Sequence, residues 1–257
     1  MIAIYTLASG SSGNATYIRC GKTELLIDAG VSRREIEKKL TALGTSLKNL
    51  AAIFITHEHS DHIKGIEMLA KYDRIALYGA KSTLTFMQKV DPSLFHFIKA
   101  GEAVTFDGVT VTPFRTQHDT PTSYGYTVSY RGEKFGLCTD LGQPTAEVTD
   151  ALAGARAVIL EANYDSEMLK YGSYPPFLKE RIASRFGHLD NTVSAKFAAF
   201  LAKSGTEHIL LAHLSRENNT PTAAFHTVSQ YLQKEGLTPS LAVASRSEIT
   251  ELLTLPC

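Results

Sequence analysis

The chain has 257 residues, of which 44% are hydrophobic and 20% are charged, and its 26 basic side chains balance its 26 acidic ones. This length allows one large domain or two small ones and suffices for a sizeable hydrophobic core. The zero net charge argues against a protein that binds nucleic acid by charge alone, so a polyanionic substrate would need a local basic patch or metal ions.

Cysteine usage and the apolar segments indicate the compartment. Three cysteines, Cys20, Cys138 and Cys257, form no disulfide framework, and their odd number favours a reducing environment. The N-terminus lacks the basic start of a signal peptide, and no apolar stretch approaches the ~20 residues that span a membrane. These features predict a soluble, cytoplasmic protein with no membrane partner.

In chain order, the first half begins with predicted strands and then mixes strands with helices. Strands are expected at 2–8, 15–20, 23–28, 51–56 and 75–78, and helices at 32–43, 61–72 and 80–90. Further strands are expected at 103–106, 109–117, 124–130 and 134–139, with turns at Asp107-Gly108 and Arg131-Gly132.

The second half alternates between the two kinds of element. Helices are expected near 146–153, 176–186, 192–203 and 221–234, and strands at 157–161, 208–212 and 241–244. Thr220 is the expected N-cap of the last helix and Pro221 its first residue. Two similar halves of this kind predict an α/β protein, in which two sheets pack face to face and helices cover both outer surfaces.

A cluster of metal-binding side-chain types follows the apolar run at 50–55. Residues 56–62 read Thr-His-Glu-His-Ser-Asp-His, so His57, His59, Asp61 and His62 lie where a buried strand ends. Imidazole and carboxylate are ligands that borderline and hard divalent metals share. In an extended segment His57 and His59 point the same way and can bind one ion, whereas Asp61 and His62 enter the next turn and face a second. The alternative is a solvated loop that is rich in histidine.

Four more candidate ligands stand at the ends of predicted strands, where functional groups of layered α/β proteins collect. They are Asp28, His118, Asp140 and His213. Each alone could be structural or solvated. Their occurrence in one chain with the histidine heptad favours a site with two metals.

The order of these residues resembles the metallo-β-lactamase superfamily over nearly the whole chain. The resemblance implies a four-layer αβ/βα sandwich and a single hydrolase domain spanning 1–257. The implied ligands fall into three groups: His57, His59 and His118 for one divalent ion; Asp61, His62 and His213 for a second; and Asp140 as the bridge. Asp28 would orient the histidine loop by hydrogen bonds.

Other motifs narrow the resemblance within the superfamily. A carboxylate at Asp140 differs from the cysteine ligand of the common antibiotic-degrading enzymes, and Cys138 is expected to be a packed core thiol. Glu161 and the Gly-His loop at His188 are similar to ribonuclease Z and its phosphodiesterase relatives. There the loop histidine lies near the scissile phosphate. The alternative for His188 is a solvated imidazole beside a helix start.

The closest resemblance is to single-domain bacterial exonucleases of the YycJ/WalJ type. It depends on the segments at 9–14 and 212–219, from which the substrate-binding candidates are taken: Ser11, Asn14, Ser215, Arg216 and Asn218. The Gly-Ser loop could bind an anion through backbone N–H groups or could be a flexible hairpin turn. Further cations lie near the expected rim of the site, where ordinary solvated side chains are the alternative: Lys170, Lys179, Arg181 and Arg185.

The resemblance implies 5′→3′ DNA exonuclease activity. A hydroxide that bridges two divalent ions roughly 3.5–4 Å apart would attack phosphorus in line. Asp61 would help to orient this nucleophile, and His188, held by Glu161, would protonate the leaving 3′-oxygen. Zn²⁺, Mn²⁺ and iron all accept these ligands. DNA is favoured over RNA by the resemblance alone.

Two alternatives stay open. A thioester or lactone hydrolase of the glyoxalase II kind shares the heptad, although the Gly-His-Leu-Asp-Asn segment occupies the region where a small-substrate site would be expected. A metal-stabilised scaffold without catalysis is the second alternative. The presence of all seven expected ligands favours an enzyme over this scaffold.

Overall fold

Two mixed β-sheets of seven strands each form the centre of the protein, which a computed structural model describes for residues 1–256. Cys257 lies outside the described residues. The first sheet contains, in spatial order, β14 (Thr250–Leu255), β1 (Ile2–Ala8), β2 (Ala15–Cys20), β3 (Thr23–Ile27), β4 (Leu50–Phe54), β5 (Leu77–Gly79) and β6 (Phe95–Phe97). The second contains β13 (Ser240–Val243), β12 (His208–Ala212), β11 (Ala157–Glu161), β10 (Glu133–Cys138), β9 (Ser123–Tyr130), β8 (Val109–Thr116) and β7 (Val104–Phe106).

The two sheets share one pattern of pairing. In the first, β14, β1, β2 and β3 pair antiparallel, and β3 to β6 pair parallel. In the second, β7 to β10 pair antiparallel, and β10 to β13 pair parallel. The carboxyl ends of β3, β4, β8, β10, β11 and β12 therefore lie at one edge of the sandwich, which is where the predicted site residues occur.

Helices cover both outer faces. They are α1 (Arg33–Ala42), α2 (Ser60–Ile63), α3 (Ile66–Asp73), α4 (Lys81–Phe86), α5 (Ala146–Leu152), α6 (Ser166–Tyr171), α7 (Pro176–Ala183), α8 (Asn191–Lys203) and α9 (Pro221–Lys234). Short 3₁₀ turns occupy Leu47–Asn49 and Pro92–Leu94. Thr220 caps α9 as predicted, because its side chain accepts a hydrogen bond from the backbone N–H of Ala223.

Three apolar layers hold the sandwich together. Ile27 and Phe54 from the first sheet pack with Tyr126, Ile159 and Leu210 from the second in a shared core. A second core lies between the first sheet and helices α1 and α3, and a third between the second sheet and helices α5, α8 and α9. The predicted four-layer αβ/βα sandwich is confirmed. No helix among residues 1–256 is long and apolar enough to cross a bilayer.

Several predicted boundaries were wrong. The helix expected at 61–72 is two helices, because the N–H of Gly65 donates to the carbonyl of Ala29 (2.7 Å) and a side chain at Gly65 would strike the carbonyl of Val31. The helices expected at 80–90 and 176–186 end early, at Phe86 and Ala183. Helix α6 and the edge strands β6 and β14 were not predicted, since short elements carry too little periodicity.

Candidate metal centre

The site lies at the edge where parallel strands of both sheets end. Asp28 directly follows β3, His57 lies in the loop after β4, and Asp140 and His213 follow β10 and β12. The loop after β1 joins this edge as well, because Ser9 Oγ accepts a hydrogen bond from the N–H of His213 (2.8 Å). Loops that are separated by up to 204 residues in the sequence thus meet at one point.

The predicted metal ligands come together in small groups of mostly buried side chains. Within each group the ligand atoms lie within 4.8 Å of one another. The groups are His57, His59 and His118; Asp61, His62 and His213; and His57, His62 and Asp140. A further group consists of Asp140, Glu161, His188 and His213. Nitrogen and oxygen donors in this arrangement suit divalent zinc, manganese or iron.

Four histidines have one ring nitrogen engaged by the protein, which leaves the other free for a ligand role. The engaged pairs are His57 Nδ1 with Thr56 Oγ1 (3.0 Å), His62 Nδ1 with Asp28 Oδ2 (2.7 Å), His118 Nδ1 with the Gly187 carbonyl (3.1 Å) and His213 Nδ1 with Glu161 Oε1 (2.8 Å). Of their Nε2 atoms, those of His57 and His213 have no hydrogen-bond partner among residues 1–256, whereas that of His62 lies 3.1 Å from Asn14 Nδ2. His59 differs, since its Nδ1 faces His118 Nε2 at 3.3 Å.

Asp140 lies between the two histidine groups. Its Oδ2 is 3.2 Å from His62 Nε2, and its Oδ1 is 3.6 Å from both His118 Nε2 and His213 Nδ1. Asp61 occupies the other side of the second group, with its Oδ2 at 3.5 Å from the Nε2 atoms of His62 and His213. Asp140 thus contacts ligands of both predicted ions, whereas Asp61 contacts those of one.

Three site residues adopt backbone conformations that residues other than glycine rarely take. Asp28, Asp140 and His213 have φ angles of 60°, 55° and 58°, in the left-handed region. Asp28 and His213 directly follow a strand, and Asp140 follows β10 after one residue, so the chain turns sharply there and leaves the period-two alternation. Strained residues of this kind concentrate at functional sites, where the surrounding structure holds them.

Glu161 is fully buried and connects several loops of the site. Its Oε1 lies 2.9 Å from His188 Nδ1 and 2.8 Å from His213 Nδ1, and its Oε2 accepts from the backbone N–H groups of Leu141 and Leu189 (both 3.0 Å). Burial would raise the pKa of Glu161, but its interactions with His188 and His213 lower the pKa to about 2. Glu161 is therefore ionised at neutral pH and fixes the orientation of both imidazoles.

Burial and neighbouring charges shift the histidine pKa values in opposite directions. Burial, together with the repulsion from His62, lowers the pKa of His57 well below its usual value. Burial is outweighed at His62, where the carboxylates of Asp140 and Asp28 raise the pKa well above the usual value. It is also outweighed at His213, where Asp140 contributes most to raising the pKa to about 10. The negative charge around the second group favours a cation there.

A cavity of about 240 Å³ opens above these groups. It is lined by Ser11, His59, Asp61, His118, Asp119, Asp140, Tyr174, Leu178, Arg181, Ile182, Gly187, His188 and His213. Of the five predicted substrate-binding residues, only Ser11 lines it. Asn14 is buried, and its Nδ2 lies 3.2 Å from Asp61 Oδ2 and 3.1 Å from His62 Nε2.

The other three predicted substrate-binding residues lie outside this cavity. Ser215 and Asn218 are buried in the loop after β12, where the N–H of Asn218 donates to Ser215 Oγ (3.2 Å). Arg216 is exposed in the same loop. Ser215 and Asn218 therefore shape this loop, while Arg216 points into solvent.

Sequence reasoning missed two residues that support the site. Thr56 donates its backbone N–H to Asp28 Oδ1 (2.8 Å) and also contacts His57 through its hydroxyl. Asp119 lies 3.7 Å from His59 Nε2 and forms an ion pair with Arg181. Each directly adjoins a predicted ligand in the sequence, and that adjacency was the available signal.

Comparison with known proteins assigns the family. Residues 23–214 match the family described as "Beta-lactamase superfamily domain". Exodeoxyribonuclease YycJ of Bacillus anthracis is 36% identical over 90% of this chain and 89% of its own length. Exodeoxyribonuclease WalJ of Streptococcus pneumoniae is 37% identical over 90% and 88%. The chain belongs to the metallo-β-lactamase superfamily.

More distant superfamily members agree with this assignment. Ribonuclease Z of Mycobacterium sp. is 26% identical over 62% of this chain and 68% of its own length. Among solved structures, the metallo-β-lactamase fold protein YhfI from Bacillus subtilis has a TM-score of 0.74, with 15% identity over 97% and 98% of the two chains. The predicted superfamily is confirmed, and the protein is a hydrolase of the metallo-β-lactamase fold.

The residues present fit the divalent metals that this superfamily implies. His57 Nε2 and His213 Nε2 are buried and have no hydrogen-bond partner among residues 1–256. A buried polar atom without a partner costs about 1–3 kcal/mol, so native proteins keep such atoms for a ligand or a reaction. Cys138 belongs to the helix-side core and to none of the ligand groups, as expected for a packed thiol.

Proposed function

We propose that this protein is a metal-dependent phosphodiesterase and, in finer terms, a 5′→3′ exonuclease acting on DNA. The observation that carries the proposal is the placement of His188. Its Nδ1 is held by Glu161 (2.9 Å) and lies 3.8 Å from Asp140 Oδ1, and its side chain is 19% exposed in the cavity. A histidine beside the metal groups, oriented by a buried carboxylate, suits protonation of a leaving oxygen.

The relatives support the same chemistry. Two bacterial proteins named exodeoxyribonucleases are 36% and 37% identical over 90% of this chain. The preference for DNA over RNA and the 5′→3′ direction derive from the family resemblance. We also propose a single hydrolase domain over the whole chain and a cytoplasmic location, which agrees with the free thiols of Cys20 and Cys138.

Two divalent ions, Zn²⁺ or Mn²⁺ with iron as a further option, would be held by the side chains at the strand ends. His57, His59 and His118 would bind one, Asp61, His62 and His213 the other, and Asp140 would contact both. When bound, such a pair supplies a water of lowered pKa and neutralises charge on the phosphoryl oxygens. Asp28 would keep the His62 ring in place through its 2.7 Å contact with Nδ1.

Two side chains of the cavity would then have separate roles in the reaction. Asp61 would orient the attacking water, whose oxygen forms a bond to phosphorus while the bond from phosphorus to the 3′-oxygen breaks. His188 would deliver a proton to that 3′-oxygen from Nε2, because Glu161 occupies its Nδ1. General acid help of this kind contributes about 10²–10⁴-fold to the rate.

The experiment is degradation of DNA duplexes labelled at the 5′ or the 3′ end, with Mn²⁺ or Zn²⁺ and with metal content measured in parallel. We expect mononucleotides to be released from the 5′ end. His59→Ala should abolish the reaction, and His188→Ala should slow it by about 10²–10⁴-fold without loss of metal. His226→Ala, at an exposed position on α9, is the matched control and should behave as the wild type.

A different result would contradict the proposed phosphodiesterase function. If the protein binds two ions per chain but cleaves neither DNA nor RNA with either metal, the phosphodiesterase assignment fails. A glyoxalase II-like thioester or lactone hydrolase would then be the better account, and thioester hydrolysis would be measured next.

A further inference from the structure

The segment from Tyr171 to Phe186, which borders the cavity, is more exposed than the rest of the fold. None of the residues from Tyr171 to Phe186 is buried, although this stretch includes the whole of α7. Its inner side lines the catalytic cavity through Tyr174, Leu178 and Arg181. A helix that buries no residue contributes little to the core, so its apolar and charged side chains need another explanation.

The outer side of this segment exposes aromatic rings. Tyr171 is 74% exposed, Phe177 is 71% exposed and Phe186 is 41% exposed. Arg181, which lines the cavity, follows Phe177 by four residues in α7, a spacing that places helical side chains side by side. Exposed rings that gather on one surface beside a cavity mark a binding surface.

Cations are interleaved with these rings. Residues 166–186 contain four basic side chains, Lys170, Lys179, Arg181 and Arg185, and two acidic ones, Glu167 and Glu180. Arg181 pairs with Asp119, but Lys170, Lys179 and Arg185 form no ion pair within residues 1–256.

Two of these cations lie over neighbouring rings. Lys170 Nζ is 4.9 Å from the centre of the Tyr171 ring, and Arg185 Cζ is 4.7 Å from the centre of the Phe186 ring. Each end of the segment therefore presents an exposed ring with a cation beside it.

The other side of the site offers a contrast. An apolar cavity of about 800 Å³ adjoins His59 and Asp119 on the α3–α4 side. Its charged lining comprises the acidic Glu58, Glu67 and Asp119 and the basic Lys64 and Lys89. Of these two sides, the one formed by residues 166–186 carries the excess of positive charge, so charge complementarity favours that side for a polyanion.

We propose that residues 166–186 form a platform for a single strand of nucleic acid, and this inference rests on the phosphodiesterase function proposed above. Bases next to the scissile phosphate stack on Tyr171 and Phe177, and the strand's phosphates are neutralised by Lys179 and Arg185. Stacking on aromatic rings within a cationic groove is how sequence-independent single-strand binding works. Continuity with the cavity at Tyr174 and Arg181 places the platform where a bound strand must pass.

The test measures binding of wild-type, metal-loaded protein to a 3′-fluorescent phosphorothioate oligothymidylate, which resists hydrolysis, by fluorescence anisotropy. Phe177→Ala and Tyr171→Ala should each raise Kd by about 5- to 150-fold, the equivalent of one lost base stack. Phe177→Tyr keeps the ring and should bind as the wild type does. Phe225→Ala, on α9 and 43% exposed, is the matched control and should have no effect.

Salt dependence tests the charge half of the platform. Lys179→Gln or Arg185→Gln should make the plot of log Kd against log salt concentration shallower by about 0.7, the value for one phosphate contact with a single strand. Lys196→Gln, on the exposed side of α8, should leave the slope unchanged. Equal slopes in all three variants would overturn the charge assignment.

The remaining outcomes separate this inference from the proposed function. Protein that degrades DNA, yet binds the oligothymidylate equally well after Phe177→Ala, overturns the platform alone. Protein that neither degrades nor binds DNA overturns the proposed function and the platform with it. A third outcome is that the protein sediments with phosphatidylglycerol vesicles, loses this binding in Phe177→Ala and does not bind the oligothymidylate. That outcome would overturn the platform and indicate a membrane-binding surface instead.

Discussion

The strand-end residues of the site combine chemical function with an unusual backbone. Asp28, Asp140 and His213 have positive φ angles, and at Asp140 this turn ends the alternation of β10. Cys138, two residues earlier, packs in the helix-side core as predicted, whereas Asp140 faces the histidine groups, because the left-handed residue redirects the chain. Residue types could be predicted from the sequence, but this change of direction could not.

Asp140→Asn keeps the size of the side chain but removes its charge. Asparagine also accepts positive φ, so the fold should persist. Metal content should fall and phosphodiester hydrolysis should decrease by more than about 100-fold, beyond the effect of residues that only orient ligands. Mass spectrometry of bound metal and rate measurements would check this. Asp150→Asn, exposed on α5, is the control, and full metal occupancy in Asp140→Asn would contradict the ligand role.

The buried thiols should be unreactive in the folded protein. Burial raises the pKa of Cys20 to about 12 and that of Cys138 well above its usual value. A higher pKa means less thiolate at a given pH, and the thiolate is the reactive form. In a Cys257→Ser background at pH 8, a disulfide reagent should react with two thiols in urea and with almost none in buffer. Rapid reaction in buffer would show that these strands open.

Among the secondary-structure elements, the loops after β1, β3 and β4 interlock through the backbone. The N–H of Asn14 donates to the carbonyl of Asp61 (2.7 Å), and the N–H of Gly30 donates to the carbonyl of Asn14 (2.7 Å). A side chain at Gly30 would lie 1.6 Å from the Asp61 carbonyl oxygen. The position of the proposed ligand Asp61 thus depends on a glycine that is distant from it in sequence.

Gly30→Ala should therefore damage both stability and metal binding. Relief of this overlap must displace the Asp61 loop, at a cost of roughly 3 kcal/mol in the free energy of unfolding. Gly44→Ala is the control, since Gly44 has a φ of 75° and open space around it, so only backbone strain of about 1–2 kcal/mol is expected. Chemical denaturation and metal analysis should show metal loss in Gly30→Ala alone. Retained metal there would contradict the interlock.

How much of these elements the sequence could predict depends on their length. Strands such as β3 and β4 and helices such as α8 have enough apolar periodicity to be recognised locally. The break at Gly65 could not be predicted, since the N–H of Gly65 donates to the carbonyl of Ala29, in the loop after β3. Helix α6 was missed because it is short, and the end of α7 was placed too late because residues 171–186 carry no burial pattern.

At the scale of the molecule, the two sheets are joined by a core and by a buried hydroxyl. The hydroxyl of Tyr126, in the second sheet, donates to the carbonyl of Ile55, at the end of a strand of the first (2.7 Å). Tyr126 is fully buried, and Ile55 directly precedes the histidine heptad. The same contact thus supports the sandwich and the start of the histidine heptad.

Tyr126→Phe should lower the free energy of unfolding by about 1–2 kcal/mol, because the carbonyl of Ile55 loses its donor in a buried environment. Tyr5→Phe is the control, since the Tyr5 hydroxyl contacts Thr254 at an exposed position and should matter by less than about 0.5 kcal/mol. Urea unfolding followed by circular dichroism should give one transition with an unchanged slope. Two separate transitions would mean that the sheets unfold independently.

Strand β14 pairs with β1 although almost the whole chain separates them, and His213 is bonded to Ser9 across 204 residues. During synthesis on the ribosome, the first sheet therefore keeps an open edge at β1 until β14 emerges. Contacts this distant in sequence are slow to close, and an open edge favours aggregation meanwhile. The proposed metal ligands extend from His57 to His213, so a nascent chain that lacks the loop after β12 would have an incomplete site. The topology thus delays enzymatic activity until β12 and β14 have both been synthesised.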